Sequence, residues 1–261
     1  MTGIQRIAAS FAQSKAFVAY LTAGDGGMQR TLDAALALID AGVTILEIGV
    51  PFSDPLADGP VIQRAAARAL AAGTTLPGIL ELVAKIRSRS TIPLILFTYM
   101  NPIFRALQSN FFQQAHQAGV DGLLLVDCPL EEMGPILQPC AQHEIAPIFV
   151  TSPTTSPARI QTLDQQGKGF LYYACRKGTT GMRTRLPEDF SEKMQLIKAH
   201  AQLPVVVGFG IASRESASQV LQYADGVVVG SLFVQALEDG ITPGDLQRLA
   251  RQINPLERGV I

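Results

Sequence analysis

Leu46-Glu47-Ile48-Gly49-Val50-Pro51-Phe52-Ser53-Asp54-Pro55-Leu56-Ala57-Asp58-Gly59-Pro60 runs from an apolar strand directly into a loop stiffened by three prolines. The strand begins near Val43, is mainly apolar, and is interrupted by one carboxylate, Glu47. A carboxylate inside an apolar strand is costly, because loss of water disfavours its charged form. A chain that keeps one there pairs it or uses it. The rigid loop that follows can hold Asp58 near the same strand end. Two carboxylates in different surroundings are what acid-base chemistry requires.

Working outward, the same strand-then-helix pattern recurs along the chain. Short apolar runs rich in β-branched residues fall at 17–21, 44–48, 93–98, 122–126, 146–150, 169–174, 204–208 and 226–229. They are continuous rather than alternating, as expected of parallel strands buried on both faces. Helical periodicity fills the intervals at 29–41, 61–71, 76–87, 110–118, 131–143, 156–166, 187–199, 213–222 and 243–252. Residues 1–15 also have helical spacing and no apolar core of signal-peptide type. Eight strand-helix units predict an α/β fold, a (β/α)8 TIM barrel with an extra N-terminal helix, in one domain over 1–261. A doubly wound sheet is the competitor, but Thr22-Ala23-Gly24-Asp25-Gly26-Gly27 lacks the glycine spacing of a dinucleotide turn.

Composition narrows the function. The chain has 261 residues, a formal net charge of −1 and no Lys/Arg-rich run, which argues against general nucleic-acid binding. No apolar run is long enough to span a membrane. Cys128, Cys140 and Cys175 are odd in number and widely spaced, which fits a reducing, cytoplasmic setting better than a disulfide framework or a zinc site. No lysine falls inside a strand, so a Schiff-base aldolase is disfavoured. The three histidines, His116, His143 and His200, fall in helical stretches away from any carboxylate cluster, which leaves no metal centre to read.

In a barrel of this kind, chemistry sits where the strands end. Glu47 and Asp58 are the catalytic candidates. Asp127 reads equally well as an anchor. Gly178-Thr179-Thr180-Gly181, Gly208-Phe209-Gly210 and Gly230-Ser231 follow strands six, seven and eight, and Ser231 opens a short helix. Glycines let backbone N–H groups approach an anion, and a helix N-terminus carries partial positive charge, so this end reads as a phosphate site. Tyr20, Phe97, Tyr99, Tyr172 and Phe209 crowd the same face and suit a flat apolar group. Together these features predict proton transfer by carboxylates on a phosphorylated, partly aromatic substrate. Another phosphate-binding barrel enzyme, or a non-catalytic subunit that docks on a partner, stays open at this point.

The Leu46–Pro60 stretch, extended through Val61-Ile62-Gln63, resembles the long signature of the tryptophan synthase alpha chain family. Tyr20-Leu21-Thr22-Ala23-Gly24-Asp25, Tyr99-Met100-Asn101-Pro102, Gly178–Gly181, Gly208–Ile211 and Gly230-Ser231 carry the resemblance along nearly the whole chain. It implies retro-aldol cleavage of indole-3-glycerol phosphate to indole and glyceraldehyde 3-phosphate. It also implies an alpha2-beta2 assembly with a beta subunit that holds pyridoxal phosphate and receives the indole, with no cofactor on this chain. By this resemblance Glu47 moves the proton and Asp58 bonds the indole N–H, while Tyr172 packs beside Glu47. Gly181, Gly210, Gly230 and Ser231 would hold the phosphate, Tyr20 and Phe209 would flank the indole, and Thr180 would close over the site. Gly26, Cys128, Thr179, Cys175 and Leu232 depart from the common pattern, and Leu232 adds bulk beside the phosphate helix.

Overall fold

The computed structural model describes residues 1–12, 14–175, 186–208 and 210–257. Eight parallel strands close into a barrel in chain order: β1 (Ala16–Thr22), β2 (Ile45–Gly49), β3 (Leu94–Thr98), β4 (Gly122–Leu125), β5 (Ala146–Thr151), β6 (Leu171–Ala174), β7 (Val205–Gly208) and β8 (Gly226–Val229). Closure is by β8 on β1, where Val18 stands opposite Val228.

Among the described residues twelve α-helices surround the strands. They are α1 (Gly3–Ala12), α2 (Met28–Asp40), α3 (Pro60–Ala71), α4 (Leu76–Arg87), α5 (Met100–Ala106), α6 (Phe111–Ala118), α7 (Gly134–Gln142), α8 (Pro157–Gln166), α9 (Phe190–His200), α10 (Arg214–Leu221), α11 (Ser231–Glu238) and α12 (Pro243–Ile253). Their starts are written in the sequence. Thr75, Ser156 and Thr242 each accept a first-turn N–H through the side chain, and each is followed by a proline in the first turn. Ser213 and Ser216 cap one another's backbone at the start of α10.

Two differences from the sequence reading have local causes. The stretch read as one helix over 131–143 is a short 3-10 turn, Leu130–Glu132, followed by α7. Pro135, at the start of α7, has no N–H to bond back into the preceding turn, so the helix restarts there. Gly169 lies outside β6 because its φ of 82° is left-handed.

Alternation along each strand sorts side chains into two cores. Leu46 and Ile48 face outward, into the layer between strands and helices, with Phe17, Leu96 and Val207. Ile45, Val18, Ile95, Ile148 and Val206 face inward and fill the barrel. Glu47 lies opposite Tyr20 on β1 and Ile95 on β3, so it shares the inward layer. The extra helix α1 plugs the floor with Ile7, which is fully buried, and with Phe11 against Phe170 at 6.0 Å. With the floor closed, the other end of the barrel is left as the mouth.

Candidate active site

Glu47 rises from β2 towards that mouth. It is completely buried, and neither carboxyl oxygen has a hydrogen-bond partner among the described residues. Burial pushes its pKa up to about 8. At neutral pH it is therefore mainly a neutral acid, with a proton to give.

Asp58 reaches the same space from the proline loop. The loop folds on itself, with Asp58 N–H on the Pro55 carbonyl at 3.0 Å and Gln63 Nε2 on the Asp58 carbonyl at 2.8 Å. The Tyr99 hydroxyl donates to Asp58 Oδ2 at 2.9 Å and accepts the Ala57 N–H at 3.0 Å. Tyr99 is itself buried and its ring lies 5.0 Å from Phe52. Burial lifts the Asp58 pKa to about 6, against the pull of the Tyr99 hydrogen bond. Asp58 is thus mainly an anion at neutral pH, while Glu47 is mainly neutral.

Three rings form an edge-to-face row beside these acids. Tyr20 and Phe97 have centroids 5.3 Å apart, and Phe97 and Tyr172 are 6.1 Å apart. Two glycines give the tyrosines room. A side chain at Gly49 would collide with the Tyr20 ring and hydroxyl, and one at Gly208 would collide with those of Tyr172.

The opposite wall is made by strand ends and a helix end. Gly208, Gly210, Gly230 and Ser231 line the cavity together with Glu47, Asp58, Tyr20, Phe97, Tyr172, Ile62 and Val228. Gly230 is the N-cap of α11 and, as a glycine, has no side chain to cap that helix. First-turn N–H groups have no partner within a helix, so an uncapped N-terminus favours an anion.

Of the residues picked out in the sequence, Glu47, Asp58, Tyr20, Tyr172, Gly210, Gly230 and Ser231 come together around one cavity. Tyr99 stands behind Asp58 as its hydrogen-bond donor and is not among the cavity walls. Thr180, Gly181 and Phe209 lie outside the described residues. Asp127 accepts the Met100 N–H at 2.7 Å at the start of α5, which makes it an anchor for that helix. Ile62 and Val228 were not picked out. Val228 could have been read from alternation in β8, and Ile62 from its place one turn beyond Asp58. A roomier cleft lies at the floor of the barrel between Phe11, Lys15, Lys198 and Asp225.

The sequence pattern of the tryptophan synthase alpha chain family matches residues 8–258. The chain belongs to the tryptophan synthase alpha chain family. It is 55% identical to the alpha chain of Coxiella burnetii, over 97% of this chain and 98% of that one. The Chlamydia caviae alpha chain is 44% identical over 97% and 99%. Among solved structures, the alpha subunit of Legionella pneumophila superposes with a TM-score of 0.87 at 36% identity, covering 97% of each chain. A chain of Mycobacterium tuberculosis tryptophan synthase gives 0.86 at 33% identity, covering 96% of this chain and 95% of that one. The alpha chain family cleaves indole-3-glycerol phosphate to indole and glyceraldehyde 3-phosphate, a lyase reaction of tryptophan biosynthesis. It pairs with a beta subunit, to which the pyridoxal phosphate of the assembly belongs.

Proposed function

We propose that Glu47 is the proton shuttle of this cleavage and Asp58 its electrostatic partner. The observation that carries the reading is a fully buried carboxyl group, both oxygens without a partner among the described residues, aimed into the cavity that Asp58 also lines. Breaking the bond between the indole ring and its side chain directly would expel a poor carbanion at C3. A proton from neutral Glu47 to C3 turns the ring into an electron sink. Positive charge then develops at the indole nitrogen, where the Asp58 carboxylate accepts the N–H bond and stabilises it. The resulting Glu47 carboxylate takes the proton of the side-chain hydroxyl as the carbon–carbon bond breaks. The bonding pair returns to the ring, an aldehyde forms, and Glu47 is again protonated.

In this reading Gly210, Gly230 and Ser231 hold the phosphate at the uncapped start of α11, and Tyr20, Phe97 and Tyr172 flank the indole. The chain works as one barrel domain in the cytoplasm and needs no cofactor of its own for the alpha reaction. Among the described residues, no single helix is long and apolar enough to cross a membrane.

The test is Glu47→Gln, assembled with the beta subunit. Binding of indole-3-propanol phosphate, which cannot be cleaved, is expected to stay within about threefold of wild type while indole release falls by about a thousandfold. Indole release at an undiminished rate would remove Glu47 from this role.

A further inference from the structure

Three segments that frame the barrel mouth meet at one guanidinium. Arg68, on α3, sends Nε and Nη2 to the two carboxyl oxygens of Asp25 at 2.7 and 2.8 Å. Asp25 lies in the turn after β1 and is nearly buried. The remaining arm of Arg68, Nη1, reaches Glu238 Oε1 at 2.6 Å. Glu238 is the last residue of α11, and it also receives Arg64 of α3, whose Nη2 lies 2.6 Å from Oε2. Arg64 bonds Gln235 of α11 as well, at 3.0 Å.

Glu238 is a residue that needs explaining. A carboxylate at a helix C-terminus opposes the partial negative charge there. Arg64 and Arg68 supply the compensation and hold its pKa down at about 2, so the link persists across the working pH range. An isolated exposed ion pair would count for little. This one is a network, with a two-pronged contact from Arg68 to a nearly buried acid. None of its members lines the cavity.

The network joins the two helices that carry opposite ends of the site. α3 begins two residues after Asp58 and presents Ile62 to the cavity, whereas α11 begins at Ser231. Both pack against β1, and against each other. We infer that Arg68 and Glu238 are positioning residues that set the span between the phosphate end and the Asp58 end, so that a substrate held by its tail finds its ring already in register. This rests on the reading of Ser231 and Asp58 given above. A preset span favours ligands that bridge both ends and is indifferent to ligands that touch only one.

That difference is the test. Arg68→Gln and Glu238→Gln, each assembled with the beta subunit, are titrated with glycerol 3-phosphate, a tail without a ring, and with indole-3-propanol phosphate, which spans the site. The tail alone should bind within about twofold of wild type, the spanning ligand about tenfold more weakly, and kcat should fall by about tenfold. Arg68→Lys keeps the charge but not the fork, and should fall between. Equal weakening of both ligands, or no change in either with kcat intact, overturns the inference. If Arg68→Gln does not fold, Glu238→Gln carries the test, since it leaves the Asp25–Arg68 pair in place. Ser231→Asp separates the two levels of the argument, because it should abolish glycerol 3-phosphate binding. Were that binding to survive, the phosphate reading would fall and this inference with it. Loss of binding in Ser231→Asp beside an unaltered Arg68→Gln overturns the span alone.

Discussion

Glu47, in the inward layer of β2, and Asp121, just before β4, are both fully buried, and the barrel treats them in opposite ways. Asp121, at the floor, accepts Arg6 Nε at 2.8 Å and Nη2 at 2.6 Å, Arg87 Nη2, and the Leu94 N–H at 2.8 Å. Burial pushes its carboxyl up while the two guanidiniums pull against it. In this way it ties α1 and α4 to the strands. Glu47, towards the mouth, has no partner at all among the described residues. A buried acid whose hydrogen bonds are all supplied by the protein is holding the fold. One whose oxygens are left open is held for something that arrives later. This is the division between floor and mouth expected of such barrels, seen at two atoms of the same kind.

The sharpest way to break the comparison is to neutralise each acid in turn. Glu47→Gln should abolish turnover yet should not weaken the fold. The sign follows from its raised pKa. An unfolded Glu titrates near 4.5 and the folded one near 8. The stability associated with its proton is complete below about 4.5 and is lost as pH rises through 8. Glutamine does not titrate, so the variant should gain on wild type as pH rises, by about 3 kcal/mol at pH 7. Urea unfolding at pH 5 and pH 8 measures this, and a variant less stable than wild type at pH 8 would contradict it. Asp121→Asn should do the reverse. It strands two arginines, costs about 3 kcal/mol of stability, and leaves kcat per folded molecule unchanged.

Next in size is the pairing of Glu47 with Asp58 at the mouth. The proposed mechanism requires the first protonated and the second ionised. A profile of kcat/KM against pH should therefore rise as Asp58 ionises near 6 and fall as Glu47 loses its proton near 8. Asp58→Asn should remove the acidic limb and lower the plateau about a hundredfold. An acidic limb that survives in the variant belongs to another group.

Much of this was legible in the sequence, and the part that was not has a common cause. Apolar runs broken by Gly and Pro place all eight strands to within about two residues, because parallel strands buried on both faces leave an uninterrupted pattern. Glu47 stands out because it breaks that pattern. Asp58 stands out because the loop around it is stiff. The helix Met100–Ala106 did not stand out, since Tyr99-Met100-Asn101-Pro102 reads locally as the end of a strand. The partners of charged and hydroxyl groups were invisible for a different reason. Arg68 and Glu238 are 170 positions apart, and Tyr99 and Asp58 are 41 apart. Residue type shows that a group can donate or accept. Only closure of the barrel decides which group it meets.

Tyr99 is the smallest of these tests and separates two roles for one ring. The sequence put it among the aromatic residues of the substrate slot, whereas the fold sets its hydroxyl between the Ala57 N–H and the Asp58 carboxylate. If its work is to hold Asp58, Tyr99→Phe keeps the ring against Phe52 and loses only the hydroxyl. The Asp58 anion then loses a donor that favours it, so its pKa should rise and the acidic limb should move to higher pH. The expected loss in kcat/KM is about 1 kcal/mol, or somewhat under tenfold, with affinity for indole-3-propanol phosphate nearly preserved. A ring in direct contact with substrate would show the opposite division. Binding would change on enlarging or removing the ring, as in Tyr99→Leu, while Tyr99→Phe would leave the acidic limb where it was.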